Sequence, residues 1–279
     1  MPDLRLLPLA QGGKFFYKNF PQLGVEGYGE RVTLHQKNND GERIILCNGC
    51  SFTQSREGES GTLWATWADY IPGKVFNISI TGSSVESQRV VDFVKSVPEK
   101  FTHFIYQVPI YLRQMMYSDL NRYEFFNADP SVKRVWPKHC LEYDLDVSDT
   151  PLFKQFQSQN VMMYRDDIFD FETYELYAKK SIYIIAKTLG FLRDKFPDIK
   201  MIMLKYNHAG GYYKKYETLT KKFFNRDLRD FADNNNIDYI YNKNFNTYYF
   251  YRNGMTIDDK THMNSKGAQM IGEEVAKFL

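Results

Sequence analysis

Apolar positions along the 279-residue chain follow two alternating rhythms. Short runs rich in β-branched and apolar residues recur at 43–48, 75–80, 102–108, 199–204 and 237–241. Each is too short for a helix and apolar on consecutive positions, the mark of a strand covered on both faces. Between these runs the apolar residues advance by three and four, which predicts helices. One falls near 62–71, with Leu63, Trp64, Trp67 and Tyr70 on it and Pro72-Gly73 stopping it. Another ends near Val97 and shares Val90 and Val94 with it on one face. A long one spans 172–196, carries Ile182, Ile185, Leu189, Leu192 and Phe196, and halts at Pro197. Phe224, Leu228 and Phe231 place a further helix within 212–233. Ala268, Ile271, Val275 and Phe278 define the last, capped by Asn264 or Ser265. Strand and helix alternate, so the pattern predicts a parallel sheet with helices on both faces.

Two stretches escape the rhythm. Residues 1–42 lack strong periodicity, hold Gly12-Gly13, Gly24, Gly27 and Gly29, and end in a turn at Asn39 to Gly41. They read as an N-terminal arm packed on the domain, leaving 43–279 as the domain itself. The second stretch, about 109–171, is rich in Tyr, Asp and Phe and long for a strand-to-helix connection. It reads as an insertion after the third strand, over the strand ends where specificity is commonly set. Its aromatics suit a polyol-binding surface and a dimer contact equally.

Composition narrows the function classes. Hydrophobic residues make up 43% and charged residues 25%, ordinary for a globular protein. The net charge is +2 with dispersed basic residues, so no electrostatic footprint for nucleic acid exists. No apolar run reaches the ~18 residues of a membrane helix. The N-terminal apolar patch is too interrupted for a signal peptide, so the expected location is a cytoplasm, or a particle assembled there. Aromatic content is 16%, with 21 Tyr and 22 Phe, most of it expected to pack inside. Cys47, Cys50 and Cys140 form no disulfide framework. Cys47 to Cys50 has C-x-x-C spacing without a second ligand pair, which argues against zinc. Cys47 also lies in a strand, whereas redox pairs open a helix, so neither cofactor nor metal is expected. Asp166, Asp167 and Asp170 lack the glycine-centred loop of a calcium site.

The chemistry-bearing residues lie at opposite ends of the domain. Ser51 follows the Asn48-Gly49 break just after the first strand, where a sharp turn exposes a hydroxyl at the carboxyl edge of a sheet. Of five histidines, His262 alone has an acid three residues ahead, Asp259, and alone immediately precedes the final helix. A carboxylate there can hold the imidazole tautomer while the other ring nitrogen faces outward. Asn207 and His208 follow the fourth strand, at the edge where ligands bind in such sheets.

The Gly49-x-Ser51-x-Thr53 turn and the Asp259-x-x-His262 loop together resemble the SGNH/GDSL hydrolase family. The run from Asn77 to Gly82 keeps the asparagine and final glycine of that family's second block, with Ser79 in place of its inner glycine. At the third block the family asparagine is absent and the sequence reads Tyr106-Gln107-Val108-Pro109. Cys50 stands where the first block usually has aspartate. The resemblance implies a flavodoxin-like, three-layer αβα sandwich on a five-stranded parallel sheet, and ester hydrolysis without metal or cofactor. It implies Ser51 as nucleophile, His262 as base and Asp259 as its orienter. Gly82, and Gln107 in place of the asparagine, would donate to the oxyanion, with Asn207 and His208 lining the pocket. The expected substrate is a small-molecule or glycan ester, an acetyl group on a carbohydrate foremost. The same triad also serves O-acyl transfer to a sugar hydroxyl. The missing asparagine keeps open an inactive binding or virion structural module.

Overall fold

The computed structural model describes residues 43–54, 66–79, 85, 88–109, 171–206, 217–257, 260 and 262–279, together with the backbone of short strands elsewhere. The strands, in chain order, are β1 (Leu6–Pro8), β2 (Lys14–Tyr17), β3 (Val32–Lys37), β4 (Ile44–Asn48), β5 (Arg56–Glu57) and β6 (Leu63–Trp64). They continue with β7 (Gly73–Asn77), β8 (His103–Val108), β9 (Arg113–Ser118), β10 (Arg122–Asn127), β11 (Lys200–Lys205) and β12 (Asp238–Ile240).

Five of them pair in parallel, in the order β7-β4-β8-β11-β12. That is the doubly wound order in which the first strand is central and the chain reverses direction between β4 and β8. Alternate residues of each strand feed two separate cores. Leu46, Phe104, Tyr106, Met201 and Met203 point into one, with the helices Gln88–Ser96, Phe171–Lys195 and Leu228–Asn234. Ile45, Cys47, Ile105, Ile202, Leu204 and Tyr206 point into the other, beneath the helix Ser265–Ala276. Both faces of β4 are therefore covered, which is why its sequence is apolar without alternation. The three-layer sandwich implied by the sequence is the observed architecture.

The sheet is wider than five strands. β1, β2 and β3 add antiparallel to the free edge of β7, which makes eight strands in all. Residues 1–42 thus hold three short strands, β1 pairing with β2, β2 with β3, and β3 with β7. Other differences are local. The helix expected over 62–71 is replaced by β6, paired to β5, and a single 3-10 turn, Trp67–Tyr70. Thr66 and Asp69 form a reciprocal capping box that starts this turn at Trp67. The stretch 109–171 contains an antiparallel hairpin of β9 and β10, and its residues 128–170 lie outside the described part. A short helix, Thr247–Arg252, was not anticipated; Asn246 caps it through Tyr249 N–H.

The helix from Glu217 to Asn234 is interrupted by a π-helical stretch, Phe223–Asp227. Asn225 of that stretch accepts a hydrogen bond from Lys205, whose ammonium stands 4.2 Å above the Tyr241 ring. Burial, reinforced by Arg229, lowers the Lys205 pKa to about 8. The last helix is capped by Asn264, which accepts from Lys266 and Gly267 N–H. It lies hard against the 3-10 turn: a Cβ on Gly272 would stand 2.5 Å from Tyr70 Cβ and 2.8 Å from the Trp67 carbonyl.

Candidate active site

The turn leaving β4 is a buried object. Asn48 accepts from Gly49 N–H through its side chain (2.9 Å), and the Cys50 carbonyl accepts from Thr53 N–H (2.9 Å) and Gln54 N–H (3.0 Å). Cys50, Ser51 and Phe52 are thereby wound into one tight loop whose serine is 8% exposed. The Ser51 backbone N–H, unlike those of its neighbours Cys50 and Thr53, has no acceptor among the described residues. Such an N–H at the carboxyl edge of a sheet is a donor for a ligand oxygen.

Gln107 lies directly beneath. Its side-chain carbonyl accepts from Cys50 N–H (3.0 Å), the Cys50 thiol (3.2 Å) and the Thr53 hydroxyl (3.2 Å), while its amide donates to the Val108 carbonyl (3.0 Å). Three donors on one oxygen fix the amide's orientation, because a flip would set N–H against N–H. At 0% exposure, Gln107 clamps the turn from below instead of facing the substrate side, as the role of third oxyanion donor would require.

Thr53 is the second anchor. Its hydroxyl accepts from the Trp67 indole (3.2 Å), and its carbonyl accepts from Thr66 (2.5 Å) and Asn77 (2.6 Å). Asn77 also accepts from Ser79 N–H (3.1 Å), so the end of β7 is tied to the same hub. Gly49 is required by proximity: a Cβ there would fall 2.6 Å from the Thr53 hydroxyl and 2.7 Å from the Gln107 carbonyl oxygen. Cys47 and Cys50 are unbridged and buried, and burial pushes the Cys47 thiol well up. That makes Cys47 an inert packing residue.

The second half of the site comes from the far end of the chain. Thr256 bridges to Met263, Ile257 N–H donates to the His262 carbonyl (2.9 Å), and Lys260 N–H donates to the Ile257 carbonyl (3.0 Å). Lys260 occupies the left-handed region, with φ 59°. Asn264 then fastens the loop to its surroundings, donating from its side chain to the Gly254 (2.9 Å) and Thr256 (3.2 Å) carbonyls.

Aromatic rings join the two halves. His262 stacks on Phe52, the residue next to Ser51, at 5.3 Å between centroids and 26° between planes. Phe52 stacks in turn on Tyr206 (4.1 Å), and Tyr206 on Phe250 (5.8 Å). Burial raises the Tyr206 phenol pKa, so this ring is a neutral packing element of the column. Ser51 and His262, assigned from the sequence, are thus brought to one edge of the sheet. Asp259, Gly82, Asn207 and His208 lie outside the described residues. Thr53 entered the sequence analysis only as part of the turn motif, and Phe52 and Tyr206 were missed there. Only the position of Phe52 beside the serine, and of Tyr206 at the end of β11, pointed to them. Among the described residues no three His, Cys, Asp or Glu side chains gather as metal ligands would. No helix there is long and apolar enough to cross a membrane.

No protein-family model and no curated protein sequence matches the chain. Among solved structures it is similar to a protein described as a GDSL-like lipase, from Parabacteroides merdae. The two share 10% identity, over 88% of this chain and 100% of that one, at a TM-score of 0.47. It is also similar to a catalytic mutant of Axe2, an acetylxylan esterase from Geobacillus stearothermophilus. There the identity is 11%, over 86% of this chain and 95% of that one, at a TM-score of 0.45. These are loose likenesses in the path of the chain, and the chemistry rests on the residues above.

Proposed function

We propose that the chain is a serine hydrolase that cleaves an ester, with Ser51 as nucleophile, His262 as general base and Asp259 as the carboxylate that orients it. One observation carries this reading: the His262 ring lies face to face with Phe52, the residue beside Ser51, although the two come from opposite ends of the domain. His262 takes the Ser51 proton as the hydroxyl oxygen attacks the acyl carbonyl. The tetrahedral oxyanion is met by the Ser51 backbone N–H and by that of Gly82. Collapse breaks the ester bond, and His262 returns its proton to the departing alcohol. Water, deprotonated by the same imidazole, then releases the acid and restores Ser51. The Phe52 face favours the imidazolium formed at each step by about 0.5–1 kcal/mol. The favoured substrate is an O-acyl, foremost O-acetyl, group on a carbohydrate.

A fluorophosphonate probe and p-nitrophenyl acetate test the reading. Labelling of the wild-type chain at Ser51 is expected, with at least ~10³ loss of kcat in Ser51→Ala. No label at Ser51, or full turnover by the alanine variant, removes the assignment. Faster acyl release with added glycan, as glycan ester instead of free acid, would identify a transferase with the same residues.

A further inference from the structure

The helix Thr247–Arg252 lies next to the His262 loop, since Met255 N–H donates to the Phe250 carbonyl and Asn264 N–H to the Met255 carbonyl. Its inner residue, Phe250, closes the ring column under the site. Its outer residues do the opposite. Tyr248 and Tyr251 are 51% and 47% exposed, large rings left open to solvent on the helix that leads toward the His262 loop. Being three apart on a helix, they share a face, roughly 5–6 Å apart at Cβ, about the length of one sugar unit.

Each ring carries a cation. The Arg252 guanidinium stands 4.4 Å from the Tyr248 centroid, and the Lys260 ammonium 5.7 Å from that of Tyr251. No acid among the described residues pairs with either cation. From Tyr239 to Lys260 the sequence carries three cations, Lys243, Arg252 and Lys260, and two acids, Asp258 and Asp259, of which Asp259 is the proposed partner of His262. Lys260 reaches its ring from a left-handed backbone, φ 59°, which glycine would adopt without strain. Strained non-glycine residues of this kind concentrate at ligand-binding positions.

We propose that Tyr248 and Tyr251, with Arg252 and Lys260, form a platform for an acidic polysaccharide, which presents its esterified unit to Ser51. The proposal rests on the esterase reading and names the substrate class of that site. Aromatic faces stack on the C–H faces of sugar rings, and the cations pair with the carboxylates or sulfates of neighbouring units. A neutral glycan would use the rings alone and draw nothing from Arg252 and Lys260.

Affinity electrophoresis of the full chain carrying Ser51→Ala tests this, with polygalacturonate, dextran sulfate or neutral dextran cast in the gel. Retardation by polygalacturonate or dextran sulfate and not by neutral dextran is expected, and the two polyanions distinguish carboxylate from sulfate recognition. Adding Tyr248→Ala and Tyr251→Ala together should weaken binding about tenfold. Lys260→Gly should weaken it about threefold while its melting temperature stays level or rises, because the backbone strain is relieved. That separates lost recognition from lost folding. No retardation by either polyanion overturns the proposal. So does equal retardation of the double-alanine variant, which would be plain attraction to a chain of net charge +2. Absence of fluorophosphonate labelling sinks the esterase reading alone, whereas loss of the platform with labelling intact sinks only the platform.

Discussion

The turn after β4 and the loop before the last helix hold Ser51 and His262, the two groups proposed to react, by contrasting means. The turn is sealed: Cys50, Thr53 and Gln107 have no exposed surface, and four side chains, Gln107, Trp67, Thr66 and Asn77, converge on the Thr53 hydroxyl and carbonyl. The loop is open: Lys260 is exposed, His262 half-buried, and backbone pairs close the strand-like ends. One half is positioned by interior hydrogen bonds that are costly to break, the other by surface bonds and one ring contact. A nucleophile must not drift, because a misplacement of about 1 Å can cost about 10² in rate. In the proposed reaction His262 serves serine, leaving alcohol and water in turn, which calls for small adjustments.

Three experiments would break or sharpen that contrast. The largest effect belongs to Gln107→Leu. It strands the Cys50 N–H and the Thr53 hydroxyl in the interior, each costing about 1–3 kcal/mol. Thermal melting should show the loss, and kcat on a small ester should fall about 10² as the serine moves. A wild-type kcat would mean that the turn holds its shape without the amide. Next is Phe52→Leu, which removes the stacking face of His262 while keeping bulk in the core. The expected result is about a tenfold lower kcat with roughly 1 kcal/mol less stability. A stability loss as large as that of Gln107→Leu, with kcat intact, would place Phe52 with the turn and not with the base.

The smallest effect on turnover separates the site from the opposite edge of the sheet. His103 opens β8, its Nε2 buried without a hydrogen-bond partner among the described residues. Burial first, then Lys200 and Arg43, lowers its pKa from 6.5 to about 4. In that interval the unfolded chain binds a proton that the folded chain refuses, so stability is full above pH 6.5 and falls as pH drops toward 4. His103→Phe should flatten the melting temperature across this window and leave kcat at pH 7 unchanged. If the acid loss of stability persists in the variant, another group carries it.

The parallel sheet was legible because each central strand is buried on both faces and writes that into consecutive apolar residues. The two segments that meet at Phe52 and His262 were singled out because a glycine turn and an acid-to-histidine spacing are local signals. The role of Gln107 was not, since its spacing matched a donor while its partners, Cys50 and Thr53, come from another strand's exit. The edge strands β1 to β3 stayed hidden because they are three to six residues long, too short for a clear apolar alternation to stand out. The helix misread at 62–71 shows a similar limit. Trp64 and Trp67 have helical spacing, yet Trp64 pairs in β6 and Trp67 reaches back to Thr53.

The clasp between Gly272 and the Trp67–Tyr70 turn joins segments about two hundred residues apart, so closing it carries the chain entropy of a long loop. Its formation belongs with the late events of folding, and a side chain added at Gly272 would push the final helix, and the His262 loop that leads into it, away from the turn.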